Sequence, residues 1–201
     1  MSESELKEVR ASAPAGIAPA ANGKPTACVR CGSGEGISDP RPGDIVLVRG
    51  VGWLGKLIRF FIRMRCRRDG DRSLAYWSHA AIIVSPQGHL IEVIPAGVVL
   101  NRLENYREQE YHYVYLDLSV AERSRASSYA YSCLRQKYGR FSFVLLALAV
   151  LTGDWFGVPD RGQQGCVALI ARALQRAGVT FARRPTDMTP ADLARNFGVM
   201  P

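Results

Sequence analysis

Cys166 is the residue of this sequence best suited to act as a nucleophile. It follows a glycine and begins the stretch CVALIARAL, whose apolar residues recur at helical spacing. A thiol at a helix N-terminus faces unpaired backbone N–H groups and the positive end of the helix dipole, and both lower its pKa. The same N–H groups can bind an oxyanion that develops on an attacked carbonyl. A small buried core cysteine is the alternative interpretation.

His79 is the candidate general base. It stands directly before the apolar run AAIIV, so it is predicted to lie at the start of a buried strand. A rigid strand holds an imidazole well enough to accept a proton from a thiol. The other histidines fit this role less well, because His89 lies in a predicted turn and His112 in an alternating strand on which it can face solvent. A hydrogen-bonded core histidine is the alternative for His79.

Glu92 is a carboxylate within the otherwise apolar strand sequence LIEVI. A buried glutamate needs a partner, and a histidine on the neighbouring strand is one whose tautomer the carboxylate would fix. Glu92 and His79 face the same way if Val84 pairs with Ile91, or in an equivalent odd register. They face opposite ways if Val84 pairs with Leu90.

The elements that must position these residues are a small sheet and several helices. Short apolar or alternating runs bounded by turn residues predict strands at 42–48, 80–84, 90–94, 98–100 and 111–118. Helical periodicity and capping residues predict helices at 53–68, 120–136, 141–151, 166–177 and 189–198. The predicted fold class is α+β, with a small, mostly antiparallel sheet packed against helices.

One domain preceded by a leader accounts for the 201 residues. Residues 1–40 are rich in Ala, Gly, Pro and Ser and lack hydrophobic periodicity, which predicts a disordered leader before a domain at 41–201. The leader contains one C-x-x-C pair, Cys28 and Cys31, and no second pair follows at a spacing that would complete a zinc site. The pair is interpreted as incidental, and no metal is expected.

The net charge of +8 comes from residues 41–201, because residues 1–40 hold four basic and five acidic side chains. The helix predicted at 53–68 is amphipathic with a basic face, which favours an anionic membrane surface as a partner. A solvated helix face is the alternative. No aromatic-interleaved nucleic-acid motif is present, so nucleic acid is not expected as a partner.

The expected location is the cytoplasm, with at most a peripheral contact to a membrane. The first residues lack the apolar region of a signal peptide, and the longest apolar stretch, 143–151, is too short to span a membrane. The five cysteines form no disulfide framework. The sequence does not indicate an oligomeric state.

Four motifs in order, PGDIVLV, WSHAAIIV, LIEVIPAGV and GCVALIARAL, resemble the circularly permuted branch of the papain-like, NlpC-type cysteine amidases. The resemblance is to the YiiX/YaeF group of bacterial permuted amidase-like proteins and covers about residues 41–198. In unpermuted papain-like enzymes the cysteine helix precedes the histidine strand, whereas the order here is His, acid, Cys. The resemblance implies a permuted papain-like fold for the domain.

The resemblance also implies roles for individual residues. Cys166 would be the nucleophile, His79 the general base and Glu92 the group that orients His79. Tyr138 would contact the oxyanion or the substrate, and Asp44 would be structural rather than catalytic. The implied reaction is hydrolysis of an amide bond, peptide or peptidoglycan-like, through an acyl-enzyme and without a cofactor.

Two other functions stay open. Lecithin:retinol acyltransferase-type relatives act on lipids, and the segments 53–68 and 143–151 could line an acyl channel in a lipid acyltransferase or thioesterase. Those relatives, however, have an Asn-Cys-Glu-His-type sequence at the nucleophile, where this chain has QGCVAL. The second alternative function is a non-catalytic domain that binds a membrane or another polyanion.

The substrate is also left open by a departure from the permuted amidase-like family. Its members commonly have a hydroxyl residue or Glu after the cysteine, where this chain has Val167-Ala168.

Overall fold

The computed structural model of the chain describes residues 25–50, 55–56, 59–60, 63, 73–94, 96–135 and 165–201. Three sequence expectations lie outside this range: the leader up to residue 24, Tyr138, and the helix at 141–151. The basic helix expected at 53–68 is described only at positions 55–56, 59–60 and 63, which are helical.

A six-stranded antiparallel sheet forms the centre of the described fold. Its strands lie in the order β1-β6-β2-β3-β4-β5. Hairpins join β3 to β4 and β4 to β5, while β2 lies between β3 and β6. The strands are β1 (Pro25–Cys31), β2 (Ile45–Val48), β3 (His79–Ile83), β4 (His89–Ile94), β5 (Gly97–Arg102) and β6 (Tyr111–Leu116). Together with the three helices for which the described residues give full bounds, this sheet confirms the predicted α+β class and all five predicted strands.

β1 corrects the prediction that residues 1–40 form a disordered leader. Pro25–Cys31 pairs antiparallel with β6 along the whole strand and makes the edge of the sheet. The side chain of Cys31 is buried in the core. Composition did not reveal this strand, because an edge strand needs only its backbone hydrogen bonds and a few buried side chains, and most of its side chains are exposed.

Helices cover one face of the sheet. They are α1 (Val120–Ser132), α2 (Cys166–Arg176) and α3 (Pro190–Asn196). α2 packs on α1 and β3, and its predicted apolar stripe is fully buried, comprising Val167, Ile170, Ala171 and Leu174. The other face is covered by a smaller cluster that includes a 3₁₀ turn, Leu103–Tyr106. The sheet therefore has a large helix-packed core on one side and a small core on the other.

The helix ends follow sequence signals. Thr189 caps α3 with a capping box closed by Asp192, as the Thr-Pro sequence predicts, and Ser119 with Glu122 caps α1 in the same way. Gly178 ends the α2 segment with a φ of 90°, which glycine adopts without strain. α1 ends at Ser132 rather than at the predicted residue 136, because Cys133 already makes 3₁₀-type backbone bonds.

Asp44 joins three elements as a buried anchor. It is fully buried, and its Oδ1 accepts hydrogen bonds from the Leu116 N–H at 3.0 Å and from Arg123 Nη1 at 2.9 Å, while Oδ2 accepts from Tyr113 at 3.0 Å. Arg123 extends the anchor by donating to the carbonyl oxygens of Pro42, Leu116 and Leu118. The contacts fix β2, β6 and α1 together, which is the structural placement expected of Asp44.

Candidate active site

The register of β3 and β4 places His79 and Glu92 on one face of the sheet. Ala81 lies opposite Glu92, and Ile82 lies opposite Ile91. This is an odd register equivalent to the one that the sequence analysis required, because Ala81 and His79 are two residues apart and share a face. His79 Nε2 and Glu92 Oε2 are 2.6 Å apart.

Cys166 approaches the same place from the opposite side of the sheet. It is the first residue of α2, and its side chain packs against the helix-covered core. His79 is the first residue of β3, so its ring can be reached around the end of the strand. Cys166 and His79 thus come from the two faces of the sheet and meet at the N-terminal end of β3.

The thiol and the imidazole form a coupled pair. The His79 ring hydrogen-bonds the Cys166 side chain, and because Nε2 faces Glu92, Nδ1 is the nitrogen left for the sulfur. Burial alone would raise the pKa of Cys166, but the hydrogen bond and charge of His79 and the N–H groups of Ala80 and Val167 lower it below its ordinary value. Burial would likewise lower the pKa of His79, and its bonds to Cys166 and Glu92 raise it instead. Both shifts favour a thiolate–imidazolium pair.

Glu92 is held as a buried anion. Only 3% of the residue is exposed, yet its carboxylate accepts hydrogen bonds from three side chains. Asn101 Nδ2 donates to Oε1 at 2.7 Å, and the Tyr106 hydroxyl and His79 both bond Oε2. Burial tends to raise the pKa of Glu92, and the bonds from His79, Tyr106 and Asn101 lower it below its ordinary value.

Tyr106 and Asn101 are the members of this site that the sequence analysis missed. Asn101 pairs with Leu90 across β5 and β4, so it lies on the face of Glu92, one pair further along. Tyr106 ends the 3₁₀ turn that follows β5 and is buried. The available signal was a polar Asn directly after the strand predicted at 98–100, which follows the strand that carries the buried glutamate.

The first turn of α2 supplies backbone donors beside the thiol. The residue before it, Gly165, has no side chain that could cap the helix. The first N–H groups of a helix have no partner within the helix, so they can bind a negative atom. Tyr138, the other oxyanion contact implied by the resemblance, lies outside the described residues.

Cys28, Cys31, His89 and His112 do not join this site. Cys28 and Cys31 pack into different cores on opposite faces of the sheet, so the C-x-x-C pair cannot act as a unit. His112 is 5% exposed, which corrects the expectation that it faces solvent; β6 is an interior strand, and the ring packs on Trp77. His89 begins β4 instead of lying in a turn and bonds Ser85. Within the described ranges, no group of three His, Cys, Asp or Glu residues could hold a metal ion.

A second cysteine–histidine contact shows how unusual the Cys166 environment is. Cys28 Sγ lies 3.7 Å from His112 Nδ1, without a carboxylate beyond the ring among the contacts of the described residues. Burial raises the pKa of Cys28 to about 12 and lowers the pKa of His112 to about 4, so this pair is neutral at pH 7. Contact between a cysteine and a histidine is therefore not enough to form a thiolate–imidazolium pair. The Cys166–His79 pair has a carboxylate beyond the ring and a helix N-terminus at the thiol, and the Cys28–His112 pair has neither among the described residues.

No protein-family model matches the chain, and no curated protein is significantly similar to it. Among the residues that the structure describes, no helix has the length and apolar character needed to cross a membrane. The interpretation of the site therefore depends on the geometry of Cys166, His79 and Glu92.

Proposed function

We propose that the protein is a cysteine-dependent hydrolase that cleaves an amide bond, peptide or peptidoglycan-like, through an acyl-enzyme. The observation that carries the proposal is the hydrogen-bonded series from Cys166 at a helix N-terminus to His79 and on to buried Glu92. A nucleophile, a base and a group that orients the base form the arrangement that nucleophilic acyl transfer requires.

The proposed reaction has two steps. The Cys166 thiolate attacks the carbonyl carbon and forms a C–S bond, and N–H groups of the first turn of α2 stabilise the oxyanion. The carbon–nitrogen bond then breaks, and the His79 imidazolium gives its proton to the leaving amine. In the second step His79 takes a proton from water, which attacks the thioester, releases a carboxylic acid and restores the thiolate. His79 and Cys166 end in their starting states, and no cofactor takes part.

The chain order of the site supports assigning the domain to the permuted papain-like type. His79 on β3 and Glu92 on β4 precede Cys166 on α2, in the order His, acid, Cys. A lipid acyltransferase or thioesterase and a non-catalytic membrane-binding domain are the competing functions. Both depend mainly on the segments 53–68 and 143–151, most of which lies outside the described residues.

Thiol labelling tests the catalytic assignment without a known substrate. Cys166 should react with iodoacetamide near pH 6 at least about tenfold faster than an ordinary cysteine, because its pKa is lowered. His79→Ala should abolish most of this excess, whereas His89→Ala, a matched change at the start of β4, should leave it intact. Mass spectrometry of the labelled peptides assigns the rates to individual cysteines.

The proposal fails if Cys166 reacts no faster than Cys66, the cysteine in the segment 53–68, and His79→Ala changes nothing. A panel of amides, esters and thioesters then identifies the bond that is cleaved, with Cys166→Ala as the inactive control. Turnover of amides supports the proposed hydrolase, whereas turnover confined to lipid esters or thioesters supports the acyltransferase or thioesterase alternative. Absence of turnover with a reactive Cys166 would contradict hydrolysis of the bonds in the panel.

A further inference from the structure

We infer that Tyr106 and Asn101 are positioning residues that hold Glu92 as an anion and through it maintain the charged state of the Cys166–His79 pair. The inference rests on the proposed function and extends the site by a layer of residues that do not contact the thiol themselves. Its basis is the direction of the hydrogen bonds around one buried carboxylate.

The amide of Asn101 has a fixed orientation. Its Oδ1 accepts from the backbone N–H of Arg102 at 2.9 Å and from the side-chain amide of Asn105. A backbone N–H can only donate, so this side of the amide must be the oxygen. The Nδ2 group therefore faces Glu92, and because Nδ2 can only donate, Glu92 Oε1 has to be an unprotonated acceptor.

Tyr106 shares the other carboxylate oxygen with His79. Its hydroxyl donates to Oε2, and its ring lies 6.5 Å from the imidazole, centroid to centroid. A carboxylate that is removed from water keeps its charge when two or three donors replace the solvent. Three donors surround Glu92. Tyr106 and Asn101 supply two of them, and the third is the His79 imidazole, which the carboxylate orients.

The backbone around Tyr106 is held from outside the site. Arg107, the next residue, accepts a hydrogen bond at its carbonyl oxygen from the Gly34 N–H at 2.7 Å, and its Nε donates back to the Gly34 carbonyl at 3.2 Å. Leu103, at the start of the turn, donates its N–H to the Gly88 carbonyl at 2.8 Å. The turn is thus tied to the loop after β1 and to the β3–β4 hairpin, so the Tyr106 hydroxyl has little freedom to leave Glu92.

Tyr106→Phe tests the inference by the pH dependence of Cys166 alkylation. Without the hydroxyl, the ionised form of Glu92 loses one of its three donors, so the pKa of Glu92 rises. The carboxyl group is then protonated over part of the acid limb, where it no longer stabilises the imidazolium. The Cys166 thiolate is then stabilised less, because the His79 ring opposite it is protonated to a smaller extent. The apparent thiol pKa measured by iodoacetamide should rise by about one unit, and the rate on the acid limb should fall up to about tenfold. Asn101→Ala should shift the limb in the same direction.

Tyr113→Phe is the matched control. Tyr113 is also a buried tyrosine whose hydroxyl donates to a buried carboxylate, that of Asp44 at 3.0 Å. Both variants should lower the melting temperature, since each removes a buried hydrogen bond to a charged group. Only Tyr106→Phe should move the alkylation profile, which separates positioning from a general loss of stability.

An unchanged profile in folded Tyr106→Phe, or a shift to lower pH, overturns the inference. A shift to lower pH would mean that the hydroxyl competes with His79 for Glu92. If Tyr106→Phe does not fold, the same outcomes apply to Asn101→Ala. His79→Ala, measured in parallel, distinguishes failure of this inference from failure of the proposed function. If His79→Ala moves the profile and the Tyr106 and Asn101 variants do not, the inference alone fails; if His79→Ala also has no effect, the proposed function fails.

Discussion

At the scale of single residues, the charge of Glu92 depends on the side chains that surround it. An isolated carboxylate with 3% exposure would be neutral, since burial penalises the ion by several kcal/mol. Its donors lower the pKa below the ordinary value of 4.5. A group of this kind stabilises the folded state above its unfolded pKa, and the contribution is lost as the pH falls through the lower, folded-state value.

Glu92→Gln should therefore destabilise the protein in a pH-dependent way. The amide keeps the shape but turns an NH₂ group towards donors, which costs about 1–3 kcal/mol near pH 7. As the pH falls through the lowered pKa of Glu92, the wild-type protein loses the stability that the carboxylate contributes, so the difference in melting temperature between the two should shrink. Thermal unfolding from pH 7 to pH 3 measures this. A difference that stays constant or grows in acid would contradict a depressed pKa for Glu92.

The residues with local signals could be predicted, and those that depend on the register could not. Cys166 follows a glycine at a helix start, and His79 precedes an apolar run, so each stands out in the printed sequence. Whether Glu92 contacts His79 depends on which of two registers pairs β3 with β4, and the sequence does not distinguish the two. Tyr106 and Asn101 can be recognised as partners of Glu92 only when the β3–β4 and β4–β5 pairings and the course of the 3₁₀ turn are known.

At the scale of elements, β1 is the part of the fold that the sequence concealed. The buried strands β2, β3 and β4 read as apolar runs, whereas β1 has the sequence PTACVRC and is exposed at most of its positions. Its contribution comes from the backbone ladder with β6 and from Cys31. The loop after it reaches Arg107, so β1 is also connected to the turn that holds Tyr106.

A chain shortened to begin at residue 38 should be less stable and more prone to associate. It lacks β1 and the Gly34 contact, and it exposes the polar backbone groups of β6 as a new sheet edge. Thermal unfolding should occur at a lower temperature, and light scattering should rise with protein concentration. Val29→Thr alters a partly exposed side chain of β1 and retains its backbone, so it should behave as the wild type. An unchanged melting temperature in the shortened chain would show that β1 is dispensable.

At the scale of the whole molecule, the Asp44–Arg123 anchor connects the sheet to the helical layer. The Asp44 side chain is fully buried and that of Arg123 is 15% exposed, so removing one partner leaves an uncompensated charge in the core. The guanidinium also satisfies three backbone carbonyl groups that no shorter side chain would reach together.

Arg123→Ala should lower the free energy of unfolding by about 3–5 kcal/mol, as expected for breaking a buried ion pair. Arg41→Ala is the control: its guanidinium pairs with Asp39 at 2.8 Å, but both side chains are largely exposed, so its loss should cost at most about 1 kcal/mol. Urea denaturation of both variants measures the two costs. Equal effects would mean that the Arg123 anchor contributes no more than a surface pair.

The meeting of α2 and β3 around the end of a strand has a consequence for the life of the chain before it is folded. His79 and Glu92 are synthesised well before Cys166, and the thiol reaches them only once α2 has docked on the sheet. Until then Cys166 lacks its counterion and the ordered helix N-terminus, and it has the low nucleophilicity of a free cysteine near neutral pH. We therefore expect Cys166 of a nascent or misfolded chain to be unreactive, so that its alkylation reports the docking of α2.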